Sequence, residues 1–319
     1  MTWNLLGAQA DGNLYDEHAG VAARVDQFAP DVLVLQEAQA DDVDAIVNRS
    51  TTNYSVAAPQ KWSCDLKSNA EGVAVLVRSS IVVAGTGATH IGESCSDPSV
   101  RRVLVWADVV LHGVVVRVHG THLTAGGGAA AASRDAQIRE LRARIGALDG
   151  SAAVDTWLLA GDHNARPGDS SYRLLVEGEP AASGSEAYLD TFTESSPVAG
   201  EPSSCPSPEP WDVAAMQQLL GDPQHVRRCG FTAGWEKDSN LLGCDLLSWC
   251  VSWERRRDLS VRERIDHVLR PDDGQFEVVA AEVPNRGDGD WAAAGAEWFR
   301  LSDHLPVVVD LALQQASGD

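Results

Sequence analysis

The chain alternates between compact apolar runs of strand length and polar stretches. Asp31–Glu37 reads Asp-Val-Leu-Val-Leu-Gln-Glu, an apolar run with a polar tip, as in a buried strand. Residues 1–7, Tyr54–Ala58, Gly72–Arg78, Val103–Val110, Val114–His119, Thr156–Ala160, Phe276–Val283 and Val307–Leu313 predict further strands. Ile81–Ala84 pairs nearby, Leu189–Phe192 is a short extended piece, and regular structure resumes at Arg264–Leu269. Helical spacing appears in 16–28, which Pro30 stops, and again in 39–50. It recurs in 133–148, with Ser133 as the expected N-cap and Ile138, Leu141, Ile145 and Leu148 on one face. The Gly/Ser/Asp-rich stretch 85–99 predicts a loop, and Gly126–Gly128 a flexible link. Strands outnumber helices and many are apolar on both faces. That pattern predicts an α/β fold of two β-sheets packed face to face with helices outside.

Segment 195–262 breaks the pattern. It is proline-rich and poorly periodic, and it holds Cys205, Cys229, Cys244 and Cys250 with Trp211, Trp235, Trp249 and Trp253. It reads as a long insertion in a single domain spanning 1–319.

Composition adds limits. A hydrophobic content of 44% and a charged content of 22% exclude a disordered or fibrous chain. No run reaches the roughly 18 apolar residues of a membrane-spanning helix. The start carries no basic and apolar leader pattern, so no signal peptide is expected there; Met1 fits a mature domain boundary or a cytosolic start. The net charge of −21 argues against tight nonspecific binding to polyanions, whose affinity comes from Lys and Arg, unless divalent cations bridge the two. The six cysteines show no CxxC spacing. Proximity along the chain favours Cys64–Cys95, Cys205–Cys229 and Cys244–Cys250. Paired, they imply a secreted protein; free, a cytoplasmic one.

The chemistry lies where apolar runs end. Asn4, Glu37, His122, Asp162, Asn164, Asp266, Asp303 and His304 sit at such ends, all of them carboxylates, amides or imidazoles. Converging, they would form an acidic pocket with imidazoles, suited to Mg2+, or to Mn2+ or Ca2+. No HExxH, P-loop or GxSxG sequence is present.

The ordered set Trp3-Asn4, Gln36-Glu37, Thr121-His122, Gly161-Asp162-His163-Asn164-Ala165, Arg264-Ile265-Asp266-His267 and Ser302-Asp303-His304-Leu305-Pro306 resembles the endonuclease/exonuclease/phosphatase superfamily, the fold of DNase I. The match covers residues 1–195 and 263–315. It implies a four-layer α/β/β/α sandwich of two packed mixed sheets flanked by helices, and metal-dependent phosphoester hydrolysis. By resemblance, Glu37 with Asn4 ligates the metal and Asp303 completes or supports that site. Asp162 orients and deprotonates the attacking water, and Asn164 holds a phosphate oxygen. His122 and His304 contact the phosphoryl group, and Asp266 fixes the tautomer of His304.

Other positions carry two readings. His163 replaces a usual Phe and is either a packing substitute or a substrate contact. Arg78 is a solvated strand end or a substrate contact. Asp190 supports the site or makes an Asx-turn, and His267 reads as structural. The arginines of 133–148 interleave with Asp135 and Glu140, so that helix reads as a solvated face. Segment 195–262, with Arg227-Arg228 and Arg255-Arg256-Arg257 among its tryptophans, favours a nuclease: Trp can stack bases and Arg can neutralise backbone phosphate. The same tryptophans also suit a lipid interface or a disulfide-tied lid. The expected partner is a phosphoester substrate, nucleic acid ahead of a lipid headgroup, inositol phosphate or other small molecule, acted on by a monomer. An inactive interaction module is the remaining alternative.

Overall fold

The structure, a computed structural model, describes residues 1–5, 14–61, 72–92, 102–149, 154–179, 187–191, 194, 265–282 and 306–314. All six cysteines, segment 195–262, Asp303 and His304 lie outside the described residues, and with them the disulfide pairing and the expected role of the insertion.

Two mixed sheets face each other. The first has the order β1 (Thr2–Asn4), β2 (Val32–Ala38), β4 (Gly72–Arg78), β3 (Tyr54–Lys61). A backbone bridge between Thr2 and Val307 attaches a pair, β11 (Phe276–Glu282) and β12 (Val308–Leu313), at its β1 edge. The second has the order β5 (Val82–Ile91), β6 (Arg102–Leu111), β7 (Val114–His122), β8 (Thr156–Asp162), β10 (Asp266–Pro271), β9 (Tyr188–Asp190). Helices α1 (Leu14–Phe28) and α2 (Ala40–Arg49) cover the first sheet, with Val21, Val25, Val43 and Ile46 in the core that also holds Leu33 and Leu76. Helices α3 (Ala129–Asp149) and α4 (Ser170–Glu177) cover the second, where Ile138, Leu141, Ile145 and Leu175 pack on Leu104, Trp157, Leu159 and Leu269. The result is the expected four-layer α/β/β/α sandwich.

The two-sided apolar runs follow from this architecture. Val34, Val73 and Val105 point between the sheets, while Leu33 and Leu35 on the alternate face meet α1 and α2, so β2 and β4 are buried on both sides. Gly120 marks a close approach: a Cβ there would lie 2.8 Å from Val34 Cγ1.

Two local expectations are corrected. Residues 85–91 belong to β5 rather than a loop, because Trp106 lies across Gly87 and Asp108 across Gly85 from the neighbouring strand and supply the packing the glycines lack. Helix α3 begins at Ala129, so Ser133 is inside it rather than its N-cap; the preceding alanines have high helix propensity and extend the helix upstream. Helix α4 is an element that the sequence pattern does not predict.

Candidate active site

Strand register builds the site. His122 on β7 pairs with Asp162 on β8, and Asp266 on β10 pairs with Asp162 from the other side. With the side-chain period of two, these three stand in one row on the face turned toward the first sheet. There β1 and β2 run parallel and bring Asn4 beside Gln36 and Glu37.

Glu37 reaches the row through an irregularity. The β2–β4 register slips between Leu35 and Ala38, and Glu37 adopts φ 49°, in the left-handed region. The bulge breaks the inward–outward alternation and aims the carboxylate past the strand end. Of the four non-glycine residues with positive φ among the described residues, Glu37 and Asn164 both belong to the site, as expected where a rigid surround enforces strained backbone.

Asn4 ties the carboxylates together. Its Nδ2 donates to Glu37 Oε1 at 3.1 Å and to Asp162 Oδ2 at 3.0 Å. Both partners are acceptors, which assigns the amide nitrogen rather than the oxygen to this position. His122 Nε2 lies 3.5 Å from Asp162 Oδ2 and 3.8 Å from Glu37 Oε1. Asp162 is 1% exposed and Glu37 is half-buried, so the cluster has one solvent-facing side.

The Gly161–Ala165 turn is steric as well as chemical. Gly161 has φ 153°, and a Cβ there would sit 2.1 Å from the Thr121 carbonyl oxygen, so only glycine lets β8 end this close to β7. Asp162 Oδ1 then accepts from the Asn164 backbone N–H at 2.9 Å, and Asn164 Nδ2 donates to the Leu123 carbonyl at 3.0 Å. The loop after His122 is held by α3: Arg134 donates to the Thr124 and Gly126 carbonyls, each at 2.8 Å, and Gln137 bonds Thr124 through both its amide atoms. Burial draws the Arg134 guanidinium below its usual value, against the pull of Asp135, Asp169 and Asp162.

One expected substrate contact, Arg78, is corrected. Arg78 lies opposite Asp31, at the far end of β2 from Glu37, about 20 Å away at strand spacing. It donates to the Ala29 carbonyl and sits 3.4 Å from Asp31. A polar strand end alone does not say which end of the sheet it occupies. His163 is fully buried and packs beside His267, with ring centroids 5.8 Å apart. Burial, reinforced by His267, pushes its ring down to about 3, and it is neutral at physiological pH. Asp190 makes no Asx-turn role necessary: its Oδ2 accepts from Tyr172 and faces His267. Asp266 is buried beside Asp162, and the expected partner His304 lies outside the described residues.

Glu37, His122 and Asp162 each offer one ligand atom, all within 4.8 Å of one another. Two carboxylate oxygens and an imidazole suit a divalent cation, and a bound one would relieve the repulsion between the carboxylates. The donor set fits.

The sequence profile of the Endonuclease/Exonuclease/phosphatase family matches residues 1–304. The chain belongs to that family. Its members are phosphoester hydrolases, and the cluster described above is the metal-compatible centre of this one. No curated protein sequence matches the chain at a significant level. Among solved structures it is similar to a mannosyl-6-phosphatase of Bacteroides thetaiotaomicron VPI-5482, with 14% identity, TM-score 0.62 and 98% of each chain covered. It is also similar to the human Nocturnin catalytic domain, with 16% identity, TM-score 0.59, and 98% of this chain and 93% of that one covered. A third is a humanized TDP2 of D. rerio, with 15% identity, TM-score 0.55, and 98% and 97% covered. At these identities the likeness is one of fold. Among the described residues no helix is long and apolar enough to cross a membrane.

Proposed function

We propose that this protein is a Mg2+-dependent phosphodiesterase that cleaves nucleic acid by attack of water on phosphorus. The observation that carries the hydrolytic part is the Asn4 amide bridging Glu37 and Asp162 from a different sheet than Asp162, with His122 beside both. Glu37, beside the Asn4 amide, would hold the cation with Asp303 completing the site, which leaves Asp162 and His122 at its edge for the water and the phosphoryl group. When bound, the cation would neutralise charge developing on the phosphoryl oxygens. The water oxygen bonds to phosphorus as Asp162 takes its proton, the bond from phosphorus to the leaving oxygen breaks, and that oxygen takes up a proton from solvent, to which Asp162 later returns its own. Asn164 keeps a second amide N–H for a phosphate oxygen after its bond to Leu123. His122 donates to the phosphoryl group.

Nucleic acid is favoured by the interleaved Trp and Arg of segment 195–262. A second reading, hydrolysis of a small phosphate ester, is favoured by the net charge of −21 and by the likeness to a sugar phosphatase. We further propose that the protein is a secreted monomer with paired cysteines, which titration of free thiols under denaturing conditions tests.

The deciding experiment incubates the protein with supercoiled plasmid and Mg2+, beside sphingomyelin, inositol phosphates and a hexose 6-phosphate. Nicked plasmid supports the first reading. Released headgroup or inorganic phosphate, with intact plasmid, replaces it with the second. Inertness toward every substrate overturns both and leaves an interaction module.

A further inference from the structure

The left-handed backbone of Asn164 is gripped on both sides by one strand. On one side, the His163 N–H donates to the Ile265 carbonyl at 2.9 Å, just before β10. On the other, His267 Nε2 lies 2.9 Å from the Ala165 carbonyl oxygen. His267 stands opposite Gly161, on the face of the sheet turned away from the pocket, and its ring passes around the end of β8 to reach Ala165. Its second nitrogen, Nδ1, faces Asp190 Oδ2 at 3.2 Å, and that oxygen also accepts from the Tyr172 hydroxyl at 2.7 Å. Tyr172 in turn packs on the ring, with centroids 5.2 Å apart. His267, Asp190 and Ala165 are all buried.

We propose that His267 is a positioning residue for the reaction: it clamps Ala165, with Asp190 and Tyr172 fixing the ring, so that Asn164 stays left-handed and Asp162 keeps its aim. The physical reason is strain. An asparagine at φ 50° is less stable than an extended or helical one and persists where its neighbours over-determine it. Asn164 bonds Asp162 and Leu123 from within the site. His267 and Ile265 anchor it to β10, which is buried along its whole length. His267 touches no reacting atom and acts through the loop alone.

The inference rests on the hydrolase reading for its kinetic consequence, though not for its structural one. His267→Gln and His267→Asn separate the two bonds. The Gln amide nitrogen falls near the Nε2 position and can still donate to Ala165, whereas the Asn amide falls near Nδ1 and reaches Asp190 only. Amide hydrogen exchange on metal-free protein is followed at residues 163–166, and kcat and KM are measured with bis(p-nitrophenyl) phosphate and Mg2+. The expected loss for His267→Asn is about 10- to 100-fold in kcat with KM nearly unchanged, alongside faster exchange at Asn164, while His267→Gln stays near wild type in both. Equal kinetic loss in the two variants, or unchanged exchange in His267→Asn, overturns the clamp. Should both variants fail to fold, Tyr172→Phe removes one hydroxyl and is expected to speed exchange at 163–166 by about fivefold; no change there overturns the clamp as well. If wild type hydrolyses none of the phosphoesters, the hydrolase reading fails, and the exchange data still decide the clamp.

Discussion

His163 gives a prediction whose size follows mainly from burial. In the folded protein burial holds its pKa near 3, while in the unfolded chain the ring titrates at the ordinary value of 6.5. Below pH 6.5 the unfolded state therefore binds a proton that the native state refuses. This group leaves stability untouched above about pH 7 and lowers it as the pH falls from 6.5 toward 3, by up to about 1.4 kcal/mol per pH unit. At pH 5 the loss from this one ring is about 2 kcal/mol relative to pH 8. His163→Phe keeps an aromatic ring against His267 and removes the titration. Urea unfolding of both proteins at pH 8, 7, 6 and 5 gives the difference in stability at each pH. The variant should gain on wild type by about 2 kcal/mol between pH 8 and pH 5, whatever its stability at pH 8. A constant difference across that range would refute the reasoning, because it would mean that the ring charges in place or is not buried.

Five further outcomes are expected. Gly161→Ala drives a Cβ against the Thr121 carbonyl and should cost about 2–4 kcal/mol by urea unfolding, whereas Gly146→Ala, in open space on α3, should stabilise by up to about 1 kcal/mol. Asp26 feels burial pushing its pKa up, but hydrogen bonds from the Ser50 hydroxyl and the Thr51 and Thr52 amides prevail and hold it at about 2. Its contribution is present above about pH 4 and lost as the pH falls toward 2, so Asp26→Asn should flatten the acid limb of a thermal unfolding profile between those values. Asp162→Ala should abolish phosphoester turnover while the protein stays folded by circular dichroism; a near-normal rate would remove Asp162 from its role. EDTA should stop hydrolysis and Mg2+ or Mn2+ restore it, read by plasmid nicking.

What the sequence reveals and what it hides have physical causes. An apolar run that ends in a polar residue marks a strand tip, and tips on one edge of a sandwich converge, so Asn4, Glu37, His122 and Asp162 are legible as a group. The same pattern misplaces Arg78, because it carries no strand direction: β4 runs antiparallel to β2 and delivers Arg78 to the opposite edge. Composition suggests a loop at 85–91, yet the packing of Gly87 is supplied by Trp106, a residue of another strand. The bulge that turns Glu37 into the pocket depends on pairing with β4 and leaves no local signal. The role of His267 depends on Ala165 and Asp190, far away in the chain, and its sequence context reads as ordinary strand.

The central claim is that Glu37, His122 and Asp162 form one divalent-cation centre held together by Asn4. Calorimetric titration of Mn2+ into wild type and into Glu37→Gln tests it most directly. The account predicts saturable binding in wild type, weakened by about 10-fold or more in the variant. Equal affinity in the two proteins, or no binding in wild type, would contradict it.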